Sequence, residues 1–383
     1  MPVSVRSFAK INLGLRIGAL RADGFHELRT VYQTIALHDV IQVQVVRGAG
    51  IEIRCEDSRV PKDESNTCYR IVERAMTALK ARGRVVIEIE KRLPVQGGLG
   101  GASGNAVATL LALERALKKE LPGPERLRIA AEVGSDLPLF LVGGTVLGVG
   151  HGEEVYPLPD LPLVPCVVAT PEIAVSTPKA FADWDAKFPQ GLKPTSSGAL
   201  IGTAEAVPFH TGSHDREGHD LSRAENGEYR SAALAAGGPA ELAKLTASPA
   251  SDRMLEFSRM LSVWLGAQGK AKSGKGLSGV SASGRGRAET PLLDLVRTGI
   301  ENDFERVVFP QYPELGEVKR VLERAGAFYA SLSGSGSTTY GLYRQRGFAD
   351  NAVARLKKAG FEARATTTLT RRQYWKKFLV SSF

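Results

Sequence analysis

Apolar and polar positions alternate in "DVIQVQVVR" (39–47) and again in "GIEIRCE" (50–56), the period of half-buried strands, and the glycine-containing step between them predicts a hairpin. The period then changes. "NTCYRIVERAMTALKARG" (66–83) opens on Asn66 as a cap, gathers Ile71, Val72, Ala75, Met76 and Leu79 on one face and closes at Gly83, which predicts an amphipathic helix. "RVVIEIEKRLP" (84–94) returns to strand spacing, and Leu110, Leu111, Leu113 and Leu117 restore a helical one. Between them lies "PVQGGLGGASGNA" (94–106), so the local order is strand, glycine-rich turn, helix. Near the C-terminus "YPELGEVKRVLERAG" and "FADNAVARLKKAG" read as helices. "AFYASLSGSGSTTYGLY" reads as two strands about a second glycine-rich turn, and "FEARATTTL" as a closing strand.

Composition narrows the class without naming a chemistry. At 383 residues and 43% hydrophobic, the chain is long enough for two domains with substantial cores. Cys55, Cys68 and Cys166 form no CxxC pair, so neither a disulfide framework nor a zinc spacing is expected. Arg6, Lys10 and Arg16 interrupt the apolar residues of the N-terminus. The most apolar stretch, "LPLFLVGGTVLGVG" (137–150), falls short of the about 18 residues that suggest a span. The expectation is a cytoplasmic protein with no membrane partner. Fifty Lys and Arg against 41 Asp and Glu leave +9. The basic runs Lys270–Arg287 and Arg355–Lys377 lack the aromatic interleaving of a nucleic-acid platform, so both read first as solvated surface.

A glycine-rich turn that opens a helix has a physical use. The helix N-terminus presents unpaired N–H groups and a positive dipole end, and glycines let phosphate oxygens come close to the backbone; tight ligand-free turns use glycine as well. "GGLGGAS" fits neither GxGxxG nor the Walker pattern. "GKGLSG" (274–279) matches the former literally, and "GKAKSGKG" (269–276) nearly matches the latter, but no strong strand precedes either.

Three segments in order, "SVRSFAKINLGLRI", "PVQGGLGGASGNA" and "ASLSGSGSTTYGLY", resemble the three motifs of the GHMP kinases. "DGFHELRTVYQTI", "GSDLPLFLVGGT" and "VSTPKAF" narrow the resemblance to the branch that acts on a cytidine diphosphate methylerythritol, over residues 1 to about 185 and 300 to 383. The resemblance implies a two-domain α/β (α+β) fold. Its N-terminal ATP-binding domain (1–160) would be like ribosomal protein S5 domain 2, and its C-terminal domain (161–383) ferredoxin-like. It further implies phosphorylation of the 2-hydroxyl of a small-molecule substrate with ATP and Mg2+.

By the same resemblance Lys10 and Asp136 form the catalytic pair: Asp136 accepts the proton of the acceptor hydroxyl, and Lys10 pairs with that carboxylate and stabilises the transferring phosphoryl group. Each is commonplace alone, Lys10 as a solvated strand residue and Asp136 as a helix cap. Asn66, Pro94, Gly98, Leu99, Gly100, Gly101, Ser103 and Asn105 fall at the ATP site. Asn12, Phe25, His26, Tyr32, Thr177 and Phe181 fall at the acceptor site. There Phe25 and Phe181 would sandwich the cytosine and His26 would read its edge, while Asn12 and Tyr32 line the methylerythritol portion. Two positions depart from the family, Ala102 where a glycine is usual and Gly104 where a serine is. No residue is assigned to the metal.

The family crosses 186–299 in far fewer residues. Here the segment is small and polar with little periodicity, the composition of a poorly ordered insertion. "RMLEFSRMLSVWL" (253–265) is its one helical pattern, and His210, His214 and His219 lack a frame that would make them metal ligands. Three other readings stay open: another GHMP kinase of the homoserine or mevalonate type, a catalytically silent nucleotide sensor, and nucleic-acid binding through the basic insertion.

Overall fold

Two long strands, β1 (Val3–Leu20) and β2 (His26–Val46), pair antiparallel at the centre of the described residues. The computed structural model describes residues 2–21, 23–95, 97–189 and 300–380, all within one compact unit. Each strand is longer than one core requires. Along β1, Val5 enters the core beneath the N-terminal helices, Ala9, Ile11 and Leu13 enter a central core, and Leu15 and Ile17 enter a third core against the C-terminal helices.

Opposite β1, β2 divides its partners along its length. Val40–Val46 pair with β4 (Arg84–Glu90), and Thr30–Gln33 pair with β5 (Thr145–Val149), which continues to β6 (Glu154–Pro157). The hairpin expected between 39–47 and 50–56 does not form. β3 (Ile51–Cys55) pairs in parallel with β4, which lies between it and β2. Burial explains the exchange: β4 buries Val85, Val86, Ile87 and Ile89, whereas β3 buries Ile53 alone, so the more apolar strand takes the inner place.

Helices cover this sheet. α1 (Thr67–Ala78) starts where the cap signal places it, with Asn66 Oδ1 accepting from the Cys68 amide at 2.8 Å. It stops before Gly83 because Lys80 turns to a φ of 46°. α2 (Gly101–Leu117) starts inside the glycine turn, ahead of the leucine pattern, and buries every residue from Gly104 to Glu114. α3 (Gly123–Val133) and α4 (Leu137–Val142) complete the layer.

The C-terminal part begins with β7 (Pro165–Ala169) and α5 (Thr177–Lys187), and continues with α6 (Glu305–Gln311), α7 (Pro313–Arg324), β8 (Tyr329–Leu332), β9 (Thr339–Leu342), α8 (Arg346–Lys358) and β10 (Ala363–Thr367). The sheet order β10-β7-β9-β8, antiparallel throughout, is that of a ferredoxin-like sheet. α5 runs past position 186, where the insertion was expected to start. The helix pattern at 253–265, the three histidines and the basic run at 270–287 lie outside the described residues.

The second basic run is more than solvated surface. Its last part forms α9 (Arg371–Phe378), opened by a Thr370/Gln373 capping box, with Tyr374 and Phe378 buried and the chain beyond it bridged to β1 at Val5. Among the described residues no helix is long and apolar enough to cross a membrane.

Candidate active site

The glycine turn is shaped by close backbone approach. Gly98 (φ 75°) and Gly100 (φ 68°) lie in the left-handed region. A Cβ on Gly98 would stand 2.2 Å from the Ser333 carbonyl oxygen, and one on Gly100 would stand 3.0 Å from Lys10 Cγ and from Phe140 Cζ. Hydrogen bonds fix the turn from both sides. The Lys10 amide donates to Leu99 O at 2.9 Å, the Thr338 amide to Gly97 O at 3.2 Å and Ser333 Oγ to Gly98 O at 2.9 Å. The first and third motifs therefore both meet the second at this turn. In turn, Asn302 holds the third motif by donating Nδ2 to the carbonyls of Leu332 and Gly334, both at 2.8 Å.

α2 starts at this turn with Gly100 as its N-cap and no side-chain cap, so its first amides face the adjoining cavity of about 360 Å³. That combination suits an anion. Asn66, Pro94, Gly98, Leu99, Gly100, Gly101, Ser103 and Asn105 all line this cavity. They contribute differently. Asn66 caps α1 and donates to Pro61 O, while Asn105 Nδ2 donates at 3.0 Å to Asp39, a carboxylate with no exposure. Asp39 also accepts from Lys91 Nζ and from the amides of Arg92 and Leu93, each at 2.7 Å, and so anchors the strand end that feeds the turn. A Cβ at Gly104 would meet Ser7 Oγ at 2.9 Å and Phe8 O at 3.0 Å, so β1 closes this departure from the family pattern. Ala102 is exposed, and its carbonyl accepts from Thr67.

On the other side of the turn Lys10 Nζ sits 3.4 Å from Asp136 Oδ2 and 2.7 Å from Asn12 Oδ1. The lysine side chain is 4% exposed and the aspartate 33%, so a buried ammonium faces an accessible carboxylate. Asp136 stands at the N-cap of α4 but makes no capping hydrogen bond, which leaves the carboxylate free of the bland role open to it in the sequence. Asn12 is oriented in turn: its Nδ2 donates to Thr30 Oγ1 and Thr30 Oγ1 to Gly14 O, both at 2.8 Å.

Tyr32 also meets Asp136. Its hydroxyl donates to Asp136 Oδ1 at 2.9 Å, and burial, with the Asp136 charge second, pushes the phenol well above its ordinary range. Glycines make room for it, since a Cβ on Gly148 would stand 2.5 Å from Tyr32 Cε2 and one on Gly152 2.4 Å from Tyr32 OH. The sequence places Tyr32 beside the acceptor but gives no sign of this bond.

Each of the two aromatic residues expected at the base lies against a histidine ring. Phe181 lies face to face with His26, centroids 5.4 Å apart and planes 4° apart, and meets Phe304 edge-on. Phe25 is 63% exposed and rests on His151, at 5.0 Å between centroids. The nitrogens of His26 face Gly18 O and Asp185 Oδ1, each at 3.0 Å, so neither is aimed at open space. Thr177 Oγ1 and Ser335 Oγ are 2.7 Å apart, which joins α5 to the third motif. His151, Asp185 and Asn302 were missed in the sequence because no pattern marks them.

The profile of the GHMP kinases N terminal domain matches residues 66–144, and that of the GHMP kinases C terminal domain matches residues 289–362. A 4-diphosphocytidyl-2-C-methyl-D-erythritol kinase of Solibacter usitatus (strain Ellin6076) is 33% identical over 351 residues, which cover 92% of this chain and 83% of that protein. The enzyme of the same name from Rhodococcus jostii (strain RHA1) is 38% identical over 198 residues, 51% of this chain and 64% of its own. Among solved structures, a 4-(cytidine 5'-diphospho)-2C-methyl-D-erythritol kinase superposes with a TM-score of 0.59 at 26% identity, covering 95% of this chain and 98% of that one. A homoserine kinase from Cytophaga hutchinsonii gives 0.59 at 18% identity, over 96% and 95% of the two chains, a likeness of fold.

Proposed function

The chain belongs to the GHMP kinases, in the family of the 4-diphosphocytidyl-2-C-methyl-D-erythritol kinases, and on that membership we propose that it transfers the γ-phosphoryl group of ATP to the 2-hydroxyl of that cytidyl alcohol. The observation that carries the reading is the Lys10–Asp136 pair, set directly against the backbone of the glycine turn.

ATP would lie in the cavity beside the turn, its phosphates facing the amides of Gly101 and the residues after it. The acceptor hydroxyl would approach Asp136. As the new O–P bond forms and the bond from Pγ to the β-phosphate oxygen breaks, the hydroxyl proton passes to the Asp136 carboxylate. Tyr32 holds one oxygen of that carboxylate and keeps its own proton, because burial raises its pKa. Lys10, with Asn12 on one side and Asp136 on the other, supplies fixed positive charge where the transferring oxygens spread theirs. Among the described residues no group of three or more His, Cys, Asp or Glu could hold a metal ion. Magnesium would bind together with the nucleotide phosphates, and there it would supply charge neutralisation.

The test is ADP release with ATP, magnesium and the cytidyl alcohol, beside separate trials of homoserine and mevalonate. Release that depends on the cytidyl acceptor is expected. Release with homoserine or mevalonate alone would transfer the reading to another GHMP kinase, and ATP binding without release would leave a nucleotide sensor.

A further inference from the structure

Phe25 is the most exposed large hydrophobic residue described, and its ring touches one other ring, that of His151. The contact is built from both sides. Asp23 accepts from the Phe25 amide through Oδ1 at 3.1 Å, and its Oδ2 lies 3.1 Å from His151 Nε2 and 3.1 Å from Arg21 Nε. Glu153 takes the other edge, with Oε1 3.4 Å from His151 Nδ1 and Oε2 2.6 Å from the His151 amide. Both ring nitrogens therefore face carboxylates, and the ring face is left to Phe25.

The turn that carries His151 is fixed to β2, where the Leu28 amide donates to Gly150 O at 2.6 Å. The residue after His151 closes over Tyr32, for which a Cβ on Gly152 would leave no space. Consecutive residues of one turn thus touch the exposed aromatic and the tyrosine bonded to Asp136.

We propose that His151 is a positioning residue of the acceptor site: held by Asp23 and Glu153, it fixes Phe25 as one wall of the slot that takes a flat pyrimidine base. The proposal rests on the acceptor read above. It assigns His151 no part in phosphoryl transfer, so its removal acts on acceptor binding.

The experiment compares wild type, His151→Ala, His151→Phe, Phe25→Ala and the His151→Ala/Phe25→Ala double variant in steady-state turnover of the cytidyl alcohol. It also records hydrogen exchange of segment 21–27 in the ligand-free proteins. An aromatic pair of this kind predicts an acceptor KM raised about three- to tenfold in His151→Ala, with kcat and the KM for ATP unchanged. His151→Phe keeps a ring against Phe25 but loses the hold of Asp23 and Glu153, so it recovers only part of the loss, and the double variant is no worse than Phe25→Ala alone. An unchanged acceptor KM in His151→Ala, or effects that multiply in the double variant, overturns the proposal. Should wild type fail to turn over this acceptor, the functional reading falls by itself. Exchange then decides the role of His151: faster exchange of 21–27 in His151→Ala sustains the hold on Phe25, and equal exchange ends it.

Discussion

The Tyr32 hydroxyl donates to Asp136 Oδ1 at 2.9 Å across 104 positions of sequence, joining the long strand β2 to the start of α4. Asp136 is thereby held in two ways, by a hydrogen bond from a neutral phenol and by an ion pair with the Lys10 ammonium. A hydrogen bond to a charged group contributes roughly 1.5–3 kcal/mol, so Tyr32→Phe should lower kcat by about tenfold or more and leave the KM for ATP unchanged. Stopped-flow measurement of the phosphoryl-transfer step gives the answer. An unaltered rate would show that Lys10 alone orients the carboxylate.

Asp136→Asn keeps the shape of the side chain and removes its capacity to take a proton. Loss of a positioned base costs about 10²–10⁴ in kcat, while the nucleotide cavity, which Asp136 does not line, should bind ATP as before. Calorimetric titration with a non-hydrolysable ATP analogue, beside turnover, separates the two effects. Near-normal turnover would remove Asp136 from the proposed role.

Gly98→Ala places a methyl against the Ser333 carbonyl at a φ of 75°. Such a conformation costs about 1–3 kcal/mol for a residue with a side chain, before the contact itself is relieved. Urea unfolding should shift to lower concentration, and the KM for ATP should rise because the turn and the third motif must part. A neutral alanine variant would mean that the junction gives way without cost.

Alkaline pH should unfold the protein through its phenols. Burial raises Tyr32, Tyr329, Tyr340, Tyr343 and Tyr374 above their ordinary value, all five in the same direction. The folded state then holds protons that the unfolded state releases above about pH 10, so the stability these groups contribute is full below that pH and falls as pH rises through it. Thermal midpoints measured from pH 8 to 12 should drop above pH 10, with tyrosinate absorbance appearing together with unfolding. Tyrosinate absorbance that rises while the fold stays intact would contradict this.

What could be read in the sequence was local. α1 begins on Asn66, β4 keeps its period, and the glycine turn before α2 is where spacing puts it, because caps, periods and left-handed turns depend on near neighbours. Pairing of distant segments was not legible. Nothing in 39–56 announces that β4 enters between its two strands, and nothing about Tyr32 announces Asp136. The aromatic residues show the same limit: Phe25 lies against His151 and Phe181 against His26, contacts that no local pattern announces. α9 was hidden for a different reason, since its five polar positions outweigh the buried Tyr374 and Phe378 in any local average.

The course of β1 through three cores has a thermodynamic consequence. Removing the strand from either half strips apolar partners from the other: Val5 from the helices of the N-terminal sheet, Leu15 and Ile17 from α5 and α6. The halves therefore share one continuous 18-residue strand and should not melt apart. A single heat-absorption peak is expected, with a van't Hoff enthalpy close to the calorimetric one, as for one cooperative unit. An isolated ferredoxin-like half would lack the strand its helices close upon.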